Sequence, residues 1–254
     1  MVWGAIGGTI PDLDVLGKFF LSNIDNLAFH RAFSHSILFS ILGALVFGKL
    51  VHAIYKSPNH KWIALVFRSL ATILVGFAVH FVLNIIVPKP LIPMLLAAAA
   101  LAYFLYRSTY KKYFTGLWKA PEASVKDWQR LFFWSLLTHP ILDCFTMYGT
   151  QLFSPFTNTR VAWSTISVAD PVYTLPFIIC LIVAATYKRE NSLRGKWNKL
   201  GILLSSLYLC ATVVNKFHVN AVFANALSEQ KIEVKRYVTN PAILSNVLWS
   251  CVAE

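Results

Sequence analysis

Several apolar stretches in this sequence are long enough to cross a lipid bilayer, which takes about 20 mostly apolar residues in helical form. Only 13% of the 254 residues are charged, whereas an ordinary soluble domain has about a quarter. The sequence therefore predicts an all-α polytopic membrane protein with about six transmembrane helices. The predicted spans are 37–55, 62–87, 91–106, 131–148, 171–187 and 200–214.

The basic residues are concentrated in three of the predicted connections. Thirteen of the 23 Lys and Arg residues lie in 56–61, 107–130 and 188–199, whereas the alternate connections contain one cation each, Lys89 and Arg160. Because cytoplasmic loops carry an excess of Lys and Arg, we expect the basic connections to face the cytoplasm. The net charge of +12 then reports membrane topology, and we expect no nucleic-acid partner.

This topology divides the chain into three predicted parts: an outer-face segment (1–36), a transmembrane helical domain (37–216) and a non-cytoplasmic tail (217–254). The tail pattern indicates an amphipathic helix, then an alternating stretch and a last strand at 249–253. A strand that ends the chain without a partner is an unprotected edge. We therefore expect a small α+β tail that belongs to a truncated domain.

One predicted span carries two ionisable residues, His139 and Asp143. Such residues cost about 2.5 to 3.5 kcal/mol each at the centre of a membrane span. Four residues apart on a helix, they share a face, and this spacing can present two metal ligands or one ligand and the carboxylate that orients it. The alternative is a histidine bonded to a neighbouring aspartate for packing.

Two further polar clusters precede the first span. Asp12 and Asp14 are one residue apart, and two carboxylates that close repel each other unless a cation lies between them; the alternative is a helix cap. His30 and His35 would lie about 140° apart on a straight helix. They could bind one ion only if His30 lies in the preceding loop, and otherwise form an interfacial pair.

The three stretches together place six nitrogen or oxygen donors on the predicted outer face: Asp12, Asp14, His30, His35, His139 and Asp143. Six donors exceed one tetrahedral zinc site and indicate either two ions or one ion with an acid/base pair. Without a cysteine among them, the set suits Zn, Mn, Fe or Mg and does not distinguish these divalent ions.

Five more residues are expected to contact the substrate or to support the ligands: His80, Tyr148, Gln151, Arg160 and Asp170. For two of them a plainer role is open. Asp170 precedes Pro171 and could cap a helix, and His80 could be a packed polar side chain.

Three runs of the sequence carry a family resemblance: GAIGGTIPDLD at 4–14, HRAFSHS at 30–36 and THPILDCFTMYGTQLFSPF at 138–156. They resemble the YdjM-type membrane-bound metal-dependent hydrolases, a family of inner-membrane proteins, over roughly residues 1–215. The resemblance implies a multi-span hydrolase whose six motif Asp and His positions match the donors named above. Similar proteins extend further at both ends, so we expect this chain to be shortened.

The leading hypothesis is a metal-dependent hydrolase at the outer face of a bacterial cytoplasmic membrane, acting on a lipid-like or anionic substrate. The bilayer is its expected partner, and a phosphoester or another ester of a lipid or envelope molecule is its expected substrate. His30 or His35 would act as general acid or base, and Arg31 and Arg160 would hold an anionic group.

Two other classes of function stay open on the sequence. A metal-ion or proton transporter or channel could use His80, His139 and Asp143 as an intramembrane path. A membrane scaffold could bind a partner through the amphipathic pattern of the tail.

Overall fold

A computed structural model describes residues 2–67, 120–188 and 190–254, together with isolated positions between 69 and 114. The chain divides into two compact units, one formed by Met1–Gly43 with Phe132–Glu254 and the other by Ala44–Leu131. His80 and the predicted spans 62–87 and 91–106 lie wholly or mostly outside the described residues. All the other residues that we singled out for chemistry belong to the first unit.

The N-terminal part consists of four short helical elements. Helix α1 (Val2–Thr9) is followed by a 3₁₀ helix (Pro11–Phe19), helix α2 (Asn23–Phe29) and a second 3₁₀ helix (Phe33–His35). Pro11 separates the first two because proline has no backbone N–H to continue a helical ladder. The predicted metal-binding aspartates thus lie on a 3₁₀ helix, where they occupy its first turn.

Among the described residues, four longer helices follow: α3 (Ile37–Lys56), α4 (Val125–Cys144), α5 (Pro171–Thr186) and α6 (Ser192–Glu229). Within the described part of the chain, α3 and α6 are long and apolar enough to cross a membrane, and α5 is a shorter apolar helix. The described part of the fold is therefore mostly helical and contains two candidate spans. The predicted span at 131–148 corresponds to α4, which begins earlier and ends at Cys144.

Helices α5 and α6 form an antiparallel pair. Gly201 of α6 lies against α5, where an added Cβ would come within 2.9 Å of Cys180 Cβ. One and two turns further along α6, Ser205 donates to the Tyr173 carbonyl at 3.4 Å and Tyr208 donates to Asp170 at 2.9 Å. The contacts move toward the start of α5 as α6 proceeds, which defines the antiparallel arrangement.

The C-terminal residues form a β-hairpin. Strand β1 (Tyr237–Pro241) pairs antiparallel with β2 (Trp249–Ala253), with Tyr237 opposite Ala253. Our expectation of a last strand without a partner is wrong, because the connection between the strands closes through a hydrogen bond from Ala242 N to Leu248 O at 2.8 Å. The amphipathic stretch expected at the start of the tail continues α6, which runs without interruption to Glu229.

Polar side chains of α6 hold the hairpin in place. Lys216 donates to the Thr239 carbonyl and to Thr239 Oγ1, and Asn215 donates to the Asn246 carbonyl at 2.7 Å. Asn246 in turn donates to the Thr165 carbonyl at 2.7 Å. The hairpin therefore joins the end of α6 to the loop that precedes α5.

The turn at Gly149 gives a test of the loop structure. Its φ of +67° and the 2.8 Å approach of an added Cβ to Ala162 Cβ predict that Gly149→Ala destabilises the protein by at least about 1–2 kcal/mol. We expect a lower midpoint of thermal unfolding in detergent. Gly195→Ala is the matched control, since nothing lies within 4 Å of its added Cβ and alanine favours helix. Equal midpoints for the two variants would contradict this account of the turn.

Candidate metal centre

Four side-chain atoms from three segments meet at one point in the first unit. Asp12 Oδ1 lies 3.5 Å from His35 Nε2 and 3.3 Å from His139 Nε2. On the other side, Asp143 Oδ2 lies 3.4 Å from each of the same two nitrogens. Carboxylate oxygens and imidazole nitrogens therefore alternate around a closed ring. Asp12, His35 and His139 also form a triad whose ligand atoms all lie within 4.8 Å of one another.

The distances in this ring suit ligands of a common cation. They exceed the usual N–H···O hydrogen-bond range of 2.7–3.2 Å, and each is close to the separation of about 3.4 Å between two donors that lie 2.0–2.1 Å from a tetrahedral ion. His35 Nε2, His139 Nε2 and Asp143 Oδ2 are buried and form no hydrogen bond with the described residues. Buried polar atoms without partners are costly, so a bound ion would satisfy all three.

Asp14 and His30, which the sequence also suggested as ligands, lie behind His35. Asp14 Oδ1 accepts a hydrogen bond from His30 Nδ1 at 2.7 Å. Asp14 Oδ2 accepts from the Arg31 amide at 2.9 Å and from Ser34 Oγ at 3.0 Å, and it lies 3.2 Å from His35 Nδ1. With Nδ1 turned to these acceptors, the lone pair of neutral His35 lies on Nε2 and faces the ring, as in carboxylate–histidine–metal arrangements.

Arg31 forms an ion pair with Asp143 through the carboxylate oxygen that is not part of the ring. Its Nη2 lies 3.2 Å from Asp143 Oδ1, and its Nη1 donates to Thr146 Oγ1 at 2.8 Å. The Arg31 backbone has φ of +60°, unusual for a residue with a side chain. Its amide donates to Asp14 and its carbonyl accepts from Gln151 N at 3.0 Å, so hydrogen bonds on both sides stabilise this conformation.

The other predicted residues lie in different positions around the ring. Tyr148 contacts Arg31 with its ring, 5.6 Å from the guanidinium carbon, and Gln151 contacts the same residue through its backbone. Arg160 Nη2 donates to the His30 carbonyl at 2.8 Å. Asp170 caps α5 by accepting from Val172 N at 2.9 Å and also accepts from Tyr208, which is the plainer role that we left open.

Sequence reasoning missed two residues that support the ligands, Ser34 and Thr146. Ser34 contacts both Asp14 and His35 Nδ1, and Thr146 accepts the hydrogen bond from Arg31. Both lie inside the HRAFSHS and THPILDCFT runs that carried the resemblance. Their position next to the charged residues was the available signal.

The carboxylates at the ring are held in the charged form. The imidazole nitrogens of His139 and His35, which face Asp12 Oδ1, lower the pKa of Asp12 well below its ordinary value, against an opposing effect of burial. Burial alone would raise the pKa of Asp14, but hydrogen bonds from His35, the Arg31 amide and His30 lower it to about 2. Ionised carboxylates beside unpaired imidazole nitrogens favour binding of a cation.

Comparison with known protein families identifies the family of the chain. The family model for the YdjM inner membrane protein matches residues 1–94 and 91–219. The chain belongs to this family. The resemblance seen in the sequence is confirmed at the level of the family, and with it an association with the inner membrane. No curated protein and no solved structure matches the chain.

The matched ranges contain every residue of the ring and its supports, from Asp12 to Arg160, and end before the β-hairpin. The candidate metal centre of this YdjM family member is thus built entirely from the part that the family shares. Hydrolase activity and the identity of the metal stay predictions.

Removal of one ring nitrogen tests whether the ring holds a metal. We predict that protein purified with stoichiometric divalent metal loses most of it in His139→Ala, because a ligand is deleted. The matched control His218→Ala removes an exposed histidine of α6 and should keep the metal. Elemental analysis of both purified proteins measures the difference, and full metal content in His139→Ala would exclude this ring as the site.

Asp14→Asn tests the supporting carboxylate separately. The amide keeps the size of Asp14 but loses the charge that orients His35, and such outer carboxylates typically contribute 10- to 100-fold in metal affinity. We predict a Kd for Zn²⁺ raised by about that factor in competition with a chelating dye. Complete loss of Zn²⁺ binding, as expected for a ring variant, would contradict the supporting role. An unchanged Kd would contradict it as well.

Proposed function

We propose that the protein is a membrane-embedded metal-dependent hydrolase that cleaves a phosphoester or another ester of a lipid or envelope substrate at the outer face of the inner membrane. The observation that carries the proposal is the ring of Asp12, His35, His139 and Asp143, in which three buried ligand atoms form no hydrogen bond with any residue that the structure describes. Such a set suits a catalytic ion better than a structural contact, because one side of the ring is open. The Asp12 side chain is 53% exposed.

A divalent ion at such a site lowers the pKa of a coordinated water and polarises a phosphoryl or acyl oxygen. Two imidazoles and two carboxylates suit zinc by ligand type.

His30 is the residue best placed to move protons. Asp14 holds its Nδ1 at 2.7 Å, which leaves Nε2 as the nitrogen for substrate or water, and its side chain is 35% exposed. Its ring centroid lies 6.0 Å from that of His35. In hydrolysis the water oxygen bonds to phosphorus or acyl carbon, the ester bond breaks, and His30 would take the proton from water and return it to the leaving oxygen.

Two arginines support an anionic substrate. Arg31 is buried, and its Nε forms no hydrogen bond with the described residues. Burial and the proximity of Arg31 lower the pKa of Arg160, so the two guanidinium groups repel each other and an anion near them would relieve that repulsion. A phosphate oxygen is such an anion, since arginine recognises it through paired N–H donors.

The orientation in the membrane follows from the charges. Six spans with the three basic connections in the cytoplasm would place the residues before α3 and the 149–170 loop on the non-cytoplasmic side. Both segments contribute to the site, Asp12, Asp14 and His35 from the first and Arg160 from the second. The active site would then face the outer side of the membrane.

Activity on phosphoesters tests the proposal. Purified protein in mixed micelles with phosphatidic acid, with p-nitrophenyl phosphate as the soluble ester, should release phosphate. The release should stop after chelation and in His139→Ala. His30→Gln should keep its metal while kcat falls by about 10²- to 10⁴-fold, the usual contribution of a general acid/base. His218→Ala is again the control.

Two results would contradict the proposal. Phosphate release that survives both chelation and His139→Ala would come from elsewhere. Metal-loaded protein that hydrolyses no ester but carries Zn²⁺ or protons across proteoliposome membranes, in a manner abolished by His139→Ala, would favour the transporter function instead.

A further inference from the structure

The first 3₁₀ helix has an inverted distribution of polarity. Because a 3₁₀ helix has three residues per turn, side chains three apart line up. The row Pro11, Asp14 and Gly17 faces the protein, where Pro11 and Asp14 are buried and a Cβ at Gly17 would lie 3.1 Å from Asn26 Oδ1. The residues of the two other rows are exposed. One row contains Asp12, Val15 and Lys18, and the other is entirely apolar: Leu13, Leu16 and Phe19.

The residues that follow the helix include two further exposed apolar side chains. Phe20 is 88% exposed and Ile24 is 81% exposed. We call the five residues Leu13, Leu16, Phe19, Phe20 and Ile24 the apolar rim. Exposed apolar side chains concentrated in one segment favour a surface that contacts a protein or a membrane, since contact with water is unfavourable for them.

The position of the rim in the chain favours the membrane. His35 and Ser36 directly precede α3, one of the two candidate spans among the described residues. Ser36 Oγ accepts a hydrogen bond from Phe39 N at 3.0 Å and the rings of Phe33 and Phe39 are 5.8 Å apart, so the segment is packed onto the first turn of α3. Asp14, on the same 3₁₀ helix as Leu13, Leu16 and Phe19, contacts His35 directly.

The charges near the rim also favour lipid. Lys18 is the one cation between residues 11 and 24 of the sequence, and its Nζ lies 5.2 Å from the centre of the Phe19 ring. The carboxylates of Asp12 and Asp14 point the other way, toward the histidines. A lysine at the edge of an apolar surface can place its ammonium group among lipid phosphates while its stem stays apolar.

We propose that the apolar rim inserts into the interfacial region of the bilayer, and that a phospholipid reaches the metal centre from the membrane on the side of Asp12. The first part is independent of catalysis. The second part rests on the proposed function and narrows it to a substrate that is still embedded in the membrane.

Photo-crosslinking in lipid nanodiscs tests the insertion. Benzoylphenylalanine replaces Phe20 or Ile24 in the full chain, with Val46 of α3 as the position expected to face lipid and exposed Glu233 as the polar control. By mass spectrometry, we expect phospholipid adducts at positions 20, 24 and 46 and no adduct at position 233. A crosslink of position 20 to a second copy of the chain, or no adduct there while position 46 reacts, would overturn the proposal.

A double variant tests the route of the substrate. Phe19→Asp with Phe20→Asp should keep its metal content, since neither side chain belongs to the ring. It should lower kcat/KM for phosphatidic acid in bilayers by about tenfold or more, on the usual contribution of buried aromatic side chains, while kcat/KM for p-nitrophenyl phosphate stays unchanged. Equal losses on both substrates, or none on either, would overturn the lipid route.

The two failures are distinguishable. If wild-type protein hydrolyses neither ester but position 20 still reacts with lipid, the proposed function is wrong and the proposed insertion of the rim is supported. If both esters are hydrolysed and position 20 gives no lipid adduct, the proposed insertion of the rim is wrong and the hydrolase function is supported.

Discussion

Two carboxylate oxygens and two imidazole nitrogens alternate at 3.3–3.5 Å, and the surrounding structure holds these four atoms in place. Asp12 lies on the first 3₁₀ helix and His35 on the second, and His139 and Asp143 lie one turn apart on α4. No single segment could supply the ring. Burial leaves three of its atoms without hydrogen-bond partners among the described residues, and a bound cation would compensate all three.

The residues around the ring show how such a site can lie beside a membrane. Asp14 accepts from His30, the Arg31 amide and Ser34, and Arg31 pairs with Asp143 and Thr146. Each charge thus has a polar partner on the inside, which lowers the cost of burial. In the first 3₁₀ helix the side chains of Leu13, Leu16 and Phe19 are exposed while Asp14 is buried. This distribution connects the proposed chemistry to the proposed lipid substrate.

Sequence reasoning identified all four ring residues, because ionisable groups are rare in apolar sequence and their i, i+4 spacing in α4 fixes a shared face. It could not separate Asp14 and His30 from the ring, since the turn at Arg31 with positive φ decides which atoms point inward. The predicted bounds of α3 and α5 differ from the observed bounds by one residue, because the length of an apolar run determines such helices. The pairing of the last strand was missed, since it depends on Asn215, Lys216 and Asn246 contacts that have no periodic signature.

The most direct test is X-ray absorption spectroscopy at the metal edge of the purified protein. The account predicts one bound divalent ion with only nitrogen and oxygen neighbours at about 2.0–2.1 Å and the outer scattering of two imidazole rings, reduced to one ring in His35→Ala. A protein without bound metal, or an ion with sulfur neighbours or without imidazole scattering, would contradict it.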